Sequence, residues 1–255
     1  MYAEERQQAM ARLVSDRGRL SVAVLASEYD VTTETIRRDL STLERLGLVR
    51  RVHGGAVPAH ALPVIEPALG DRDRAHAGAK DRIAEAALAL LPRPGATVLL
   101  DAGTTTGRLA ARMTPGHRLK VWTHAVPLAA RLIGLPGVEL HLLPGAVRET
   151  TQAAVGPDTV ESLSRLRADV VFLGTNGISL LHGLSTPDVE EAATKRALVG
   201  AARQVVVLAD ASKIGEESTV RFATLAQVDV LVTDDALSSE DRTDLEHAGV
   251  EVVVA

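Results

Sequence analysis

Cysteine is absent from all 255 residues. That excludes disulfides, thiolate metal sites and a cysteine nucleophile, and it suits a reducing compartment. Aromatic residues make up only 2% of the chain although apolar residues reach 46%. Any core must therefore be built from Leu, Val, Ile and Ala, the palette of parallel sheets covered by helices. No apolar run approaches membrane-spanning length, and the opening MYAEERQQAM carries acids where a secretory signal needs a basic flank. A cytoplasmic protein with no membrane partner is expected. Lysine is scarce as well: Lys80, Lys120, Lys195 and Lys213 are the only four among 28 basic residues. The eight histidines are scattered without ligand spacing, so neither a metal nor another cofactor is expected.

A formal net charge of -5 argues against a nucleic-acid partner until its distribution is inspected. Residues 1–57 hold nine Arg against eight acids, a net of +1, which leaves -6 for residues 58–255. Within residues 32–57 the balance is five Arg against three acids, so the basic surplus sits in one short segment.

Three helical patterns open the chain: residues 4–15 with Met10, Leu13 and Val14 on one face, 21–29 with Leu25, Ala26 and Tyr29, and 33–46 with Ile36, Leu40 and Leu43. Asp30-Val31-Thr32 leaves room only for a tight helix-turn-helix crossing, with Thr32 as N-cap of the third helix. Gly47 stops that helix, and residues 48–57 read as a short hairpin turning at Gly54-Gly55. Together these predict a winged helix over 1–57. On the third helix Thr33, Arg37 and Ser41 form one stripe, with Thr35 and Arg38 beside it, opposite the apolar face. Arginines near a helix start can read guanine edges in the major groove, while short hydroxyls hold phosphates. Arg50 and Arg51 would place charge on the neighbouring DNA backbone, and His53 belongs to the turn of the wing.

Residues 58–75 begin with PAHALPVIEPALG, three prolines without helical or strand period, and read as a linker. From there to residue 255, helical patterns alternate with short apolar runs at 97–101, 119–123, 138–143, 169–173, 205–209, 228–233 and 250–254. Such alternation predicts a mostly parallel, helix-covered sheet over residues 76–255. In an open parallel sheet ligands lie beyond the carboxyl ends of the strands. Polar residues follow five of these runs: Asp101-Ala-Gly103-Thr104-Thr105-Thr106, Thr123-His124, Pro144-Gly145 through Arg148, Gly174-Thr175-Asn176-Gly177, and Asp210-Ala-Ser-Lys213. Gly103 would let the backbone approach a ligand, and the Thr hydroxyls and helix-start amides would donate to an anion, most naturally a phosphate. Asp101 would accept from sugar hydroxyls, with Arg148 and Lys213 as counter-ions to the phosphate. Glu190, Glu191, Lys195 and Arg196 sit at helical ion-pair spacing. Glu191 and Lys195 join the cleft if the helix start near Pro187 faces it.

Thr35-Ile-Arg-Arg-Asp-Leu40 with Arg51-Val-His-Gly-Gly-Ala56 resembles the DNA-binding signature of the DeoR family of bacterial sugar-metabolism regulators. Asp101-x-Gly-Thr-Thr, Gly174-x-x-Gly177, Thr194-Lys-Arg196 and Asp210-x-Ser-Lys213 resemble its effector-domain motifs. The resemblance spans essentially the whole chain. It implies an oligomeric repressor released from double-stranded operator DNA by a phosphorylated sugar, with a sensing domain similar to ribose-5-phosphate isomerase. Residues 144–148, 172–178 and 183–188 look closest to regulators of fructose operons, which implies fructose 1-phosphate. Two alternatives stand beside this: an activator, since the sign of regulation depends on operator position, and a sugar-phosphate isomerase with an appended DNA-binding module. Isomerase chemistry needs a carboxylate over the sugar; Asp101, Glu190 and Glu191 are the candidates, but the segment Gly174-Thr-Asn-Gly177, where the isomerase pattern is acid-rich, carries none.

Overall fold

Short polar side chains begin the two helices of the helix-turn-helix. Ser21 and Thr32, both in extended backbone, accept hydrogen bonds from Val24 and Thr35 N–H and so cap the helices α2 (Val22–Tyr29) and α3 (Thr33–Arg45). Between them Asp30 takes a left-handed conformation, φ 50°, which ends α2 and swings the chain into α3 within three residues. The helix α1 (Ala3–Arg17) precedes them, and the strands β1 (Leu20–Ser21), β2 (Val49–Val52) and β3 (Gly55–Pro58) form a small antiparallel sheet in the order β1-β3-β2. In this computed structural model the described residues are 3–17, 20–52, 55–58 and 68–255. His53 of the wing turn lies outside them. Met10, Val14, Leu25, Ile36, Leu40, Leu43, Val49 and Ala56 make one buried cluster, with Leu13, Ala26 and Tyr29 packed at its border. Each fully buried aliphatic side chain contributes about 1.5–3 kcal/mol.

The chain divides into two units, Met1–Val64 and Ile65–Ala255. In the second, all seven apolar runs become strands of one parallel sheet: β4 (Thr97–Leu100), β5 (Leu119–Thr123), β6 (Val138–Leu142), β9 (Ala168–Leu173), β12 (Ala202–Leu208), β14 (Val230–Thr233) and β15 (Glu251–Val254). Their order is β15-β14-β12-β9-β4-β5-β6. The chain winds outward from β4 to β6, returns to β9 at the other side of β4, and winds outward again. The switch point is therefore the seam between β4 and β9.

Successive side chains point to opposite faces, which sorts each run into two cores. Val98, Leu100, Val170, Phe172, Val206 and Val232 pack under α5 (Ala77–Ala87), α6 (Thr104–Arg112) and α7 (Val126–Leu132). Leu99, Val171, Leu173, Val205, Val207 and Leu231 pack under α8 (Pro157–Ser164), α9 (Val189–Ala201) and α10 (Ser239–His247). Both faces are covered, which is why the strands read as continuous apolar runs. On β5 and β6 the rings of Trp122 and His141, partners in the strand register, stack 4.0 Å apart at 6°.

Several elements were not expected. A helix, α4 (Leu69–Arg74), occupies part of the segment read as linker. The hairpin β7 (Ala146–Arg148) and β8 (Ala153–Val155) follows β6, and β10 (Gly177–Ser179), β11 (Gly183–Thr186) and β13 (Val220–Ala223) form a separate antiparallel sheet. No described helix is long and apolar enough to cross a membrane.

Candidate functional site

In the first unit the α3 sequence splits by face. Ile36, Asp39 and Leu40 are buried, while Thr33, Arg37 and Arg38 are exposed. Asp39 was not singled out by sequence, yet it accepts from Arg6 Nε and Gln7 Nε2, each at 2.7 Å, and clamps α3 to α1. Arg37 and Arg38 approach Glu34 at 3.4 and 3.8 Å, side chains more than half exposed. Such surface pairs are weak and exchange readily for DNA phosphate or a base edge. Thr32 and Thr35 are bound to each other as the helix cap, hydroxyl to hydroxyl at 2.9 Å. Ser41 departs from the expected reading. Its hydroxyl donates to Arg37 O at 2.8 Å and accepts from Arg51 Nη1 at 2.9 Å, so it holds the wing arginine against α3 instead of reaching outward. Glu44 fixes the same place by accepting Arg51 N–H at 2.8 Å. Arg51 is exposed, and Arg50 is half-buried on β2.

In the second unit the switch point is bridged by one carboxylate. Asp101, at the end of β4, is 0% exposed. Its Oδ2 accepts from Gly174 N–H at 2.9 Å and from Lys195 Nζ, and its Oδ1 lies 3.1 Å from His124 Nε2. Burial by itself would raise the Asp101 pKa, but the Lys195 charge and the His124 hydrogen bond outweigh it and lower the value from 3.8 to about 2. Lys195 is 2% exposed, donates also to Gly174 O at 3.0 Å, and sits 3.7 Å from Glu191 and 5.5 Å from the Phe222 ring centroid. Glu191 in turn accepts from Arg148 Nη1 at 2.6 Å, and Asp188, the N-cap of α9, lies 3.3 Å from Arg148 Nη2. His124 is equally enclosed: Nδ1 donates to Ala154 O at 2.8 Å, which leaves Nε2 to accept Ala102 N–H at 3.1 Å or, with a second proton, to donate to Asp101.

These contacts correct three expectations. Asp101, expected to meet sugar hydroxyls, has both oxygens occupied inside the protein and is a keystone of the seam. Thr106 and Thr123 are fully buried, with hydroxyls donating to Asp101 O and Leu100 O, so they shape the loops from within. Gly145 and Gly177 serve close packing: a Cβ would come 2.3 Å from Thr159 Oγ1 at the first and 2.3 Å from Glu216 O at the second.

The residues left accessible at the strand ends are Gly103, Thr104, Gly145, Arg148, Gly174, Thr175, Asn176 and Lys213. Thr105 is buried in the same first turn of α6 as Thr104. Because Gly103 is the N-cap and has no side chain, that turn carries no side-chain cap, and its first amides are helix-start donors of the kind that suit an anion. It opens on a cavity of about 540 Å³ lined among others by Gly103, Thr104, Arg108, Leu128, Thr151 and Gln152. Gly174 to Gly177, Asp210 and Lys213 do not line it, so the single cleft expected from five loops is divided.

Lys80 of α5 was missed as a site residue, although its rarity marked it. It is 5% exposed and donates from Nζ to Arg72 O. Burial lowers its pKa from 10.5; Asp210 opposes the shift, and Lys213 and Arg108 add to it. Asp210, 2% exposed, accepts from Ser212 Oγ within the Asp210–Lys213 loop. Among the described residues no group of three His, Cys, Asp or Glu side chains could hold a metal ion.

A winged helix with exposed arginines on its third helix, followed by an α/β unit with an anion-suited strand-end site, defines the class of DNA-binding regulators that carry a sensor domain. Residues 6–61 match the DeoR-like helix-turn-helix domain and residues 75–235 the DeoR C terminal sensor domain. The chain belongs to the DeoR family of transcription regulators. It is 38% identical to the HTH-type transcriptional regulator GlpR of Haloferax volcanii over 99% of this chain and 98% of that protein. It is 35% identical to an uncharacterized HTH-type transcriptional regulator, FruR, of Bacillus subtilis, and 30% identical to the glycerol-3-phosphate regulon repressor of Escherichia coli, over 92% of each chain in both cases. Among solved structures, ribose 5-phosphate isomerase from Plasmodium falciparum aligns with 53% of this chain and 52% of its own at 17% identity and a TM-score of 0.37. Chaetomium thermophilum eIF2B beta aligns with 61% and 48% at 16% identity and 0.41. Likenesses this partial carry no argument about function.

Proposed function

We propose that this regulator is an oligomeric, cytoplasmic repressor of a sugar-utilisation operon. Residues 1–57 bind operator DNA through Thr33, Arg37, Arg38 and Arg51, residues 58–75 connect, and residues 76–255 bind the phosphorylated sugar that releases it. The observation that carries this reading is the uncapped first turn of α6, at the switch point, facing a cavity of about 540 Å³. Helix-start amides favour an anion, and the volume suits a small ligand. Lys213, in the loop that follows β12, adds positive charge at the strand ends. Fructose 1-phosphate is the effector we favour, from the motifs at 144–148, 172–178 and 183–188 and the 35% identity to FruR. Glycerol 3-phosphate is the second candidate, on the 30% identity to the glycerol-3-phosphate regulon repressor.

The isomerase reading is weaker on physical grounds. Asp101 is an ionised carboxylate at the strand ends, but it is fully buried and engaged by Lys195, His124 and Gly174 N–H, so it cannot take a proton from a sugar carbon. The test is a mobility shift of DNA from the chain's own upstream region, titrated with fructose 1-phosphate, glycerol 3-phosphate and inorganic phosphate. Release by one ester is the expected result. A complex that persists while the protein demonstrably binds an ester would overturn the proposal.

A further inference from the structure

The turn that joins β7 to β8 ends in Thr151 and Gln152, and both line the cavity on which α6 opens. Thr151 is 2% exposed, yet its Oγ1 meets no hydrogen-bond partner among the described residues. A buried hydroxyl left unpaired costs stability that a methyl group in its place would not. Gln152 carries a second cost: its φ of 53° is left-handed, a conformation non-glycine residues adopt with strain. The backbone holds it there from two sides. Gln152 N–H donates to Arg148 O at 2.7 Å, and Gln152 O accepts from Val126 N–H, at the start of α7, at 3.0 Å. The turn is thereby locked, with an unsatisfied hydroxyl and an exposed amide side chain at the wall of a cavity whose other wall is a helix start.

The charges in the cavity divide the labour. Arg108 and Arg112 are engaged by Asp73, Asp81 and Glu85 at 2.8–3.5 Å, while Arg131, which also lines the cavity, is exposed. The α6 amides and Arg131 are the groups suited to an anion, and Thr151 and Gln152 are uncharged groups that both donate and accept. A sugar hydroxyl has the same dual character; a phosphate oxygen only accepts.

We infer that Thr151 and Gln152 are specificity-determining residues that hold the hydroxyl-bearing end of the effector while its phosphate lies on the first turn of α6. This rests on the sugar-phosphate reading above. The test is calorimetric titration of the full chain, wild type beside Thr151→Val, Thr151→Ser and Gln152→Ala, with fructose 1-phosphate, glucose 6-phosphate, glycerol 3-phosphate and inorganic phosphate. Thermal unfolding of each variant without ligand accompanies it.

Thr151→Val should unfold no lower than wild type, lose about tenfold or more in affinity for the ester wild type prefers, and keep the wild-type response to inorganic phosphate. Thr151→Ser should restore binding, and Gln152→Ala should flatten the preference among esters. Wild-type ester affinity in both Thr151→Val and Gln152→Ala would overturn the inference and leave the sugar-phosphate reading standing. So would a Thr151→Val chain that unfolds earlier without ligand, since the hydroxyl would then have an internal role. Failure of every ester to bind the wild-type chain would instead sink the sugar-phosphate reading and this subsite with it.

Discussion

Asp101 and Gly174 meet across the seam where the parallel sheet reverses its winding: the carboxylate at the end of β4 accepts the amide at the end of β9 at 2.9 Å. Lys195 grips both partners, the Asp101 carboxylate and the Gly174 carbonyl, so two strands and one helix converge on a single buried charge pair. A ligand at the strand ends therefore rests on a floor whose geometry is fixed by ionic contacts.

Replacing Asp101 by Asn keeps the shape but leaves Lys195 with the Gly174 carbonyl and, as counter-charge, the more distant Glu191. Breaking one side of a buried pair should cost about 3–5 kcal/mol, read as a lower urea midpoint at neutral pH. The pH dependence should change too. With a folded pKa of about 2 against 3.8 unfolded, the carboxylate contributes about 2 kcal/mol above pH 4, lost as the pH falls towards 2. The acid limb of the wild-type stability curve should be steeper than that of Asp101→Asn.

Arg37→Ala or Arg38→Ala should each weaken operator binding by ~1–3 kcal/mol with unfolding unchanged. Asp39→Ala should do the reverse in kind. It strands Arg6 and Gln7, so it should destabilise the first unit by about 3 kcal/mol and lower DNA binding only through the folded fraction. Far-UV dichroism beside a binding titration separates the two.

Lys80→Met should keep unliganded operator affinity and lose most of the ester-driven release, by about tenfold or more in the ester concentration needed. Because burial lowers the Lys80 pKa from 10.5, the unfolded chain holds a proton the folded one has shed just below that pH. Wild-type stability should rise there with pH, and the variant should lack that rise.

Gly145→Ala should behave as a packing mutation. At φ +142° the new Cβ would meet Thr159 Oγ1 at 2.3 Å and Val155 O at 2.6 Å, and the backbone oxygen has little freedom to retreat. A loss of about 2 kcal/mol or more in urea unfolding is expected. Ester affinity of the folded protein should be unchanged.

Much of the architecture could be read before any coordinates. Seven apolar runs announced seven strands because a doubly covered sheet needs no polar positions, and Thr32 announced α3 because a cap is a local device. The strands β10, β11 and β13 escaped because they are three or four residues long and β13 pairs with β11 far along the chain, as Ala223 does with Leu184, 39 positions away. The site was legible in its residue types and misread in its roles. Asp101 and Lys195 are 94 positions apart, and nothing local tells a ligand-facing carboxylate from one that a distant lysine has already claimed. Asp39 looked like any acid on an exposed helix because its partners lie on α1. Thr151 and Gln152 gave no signal, since an unpaired hydroxyl and a left-handed backbone are properties of the folded chain alone.

The stacked Trp122 is the only tryptophan in the chain, and the only two tyrosines, Tyr2 and Tyr29, belong to the first unit. Evolution has thereby given each unit its own optical label. Tryptophan emission reports on β5 and β6, and Tyr29 reports on the core of the helix-turn-helix. A denaturation series watched at both wavelengths would report the melting of reader and sensor separately in one cuvette, without cutting the chain or adding a dye.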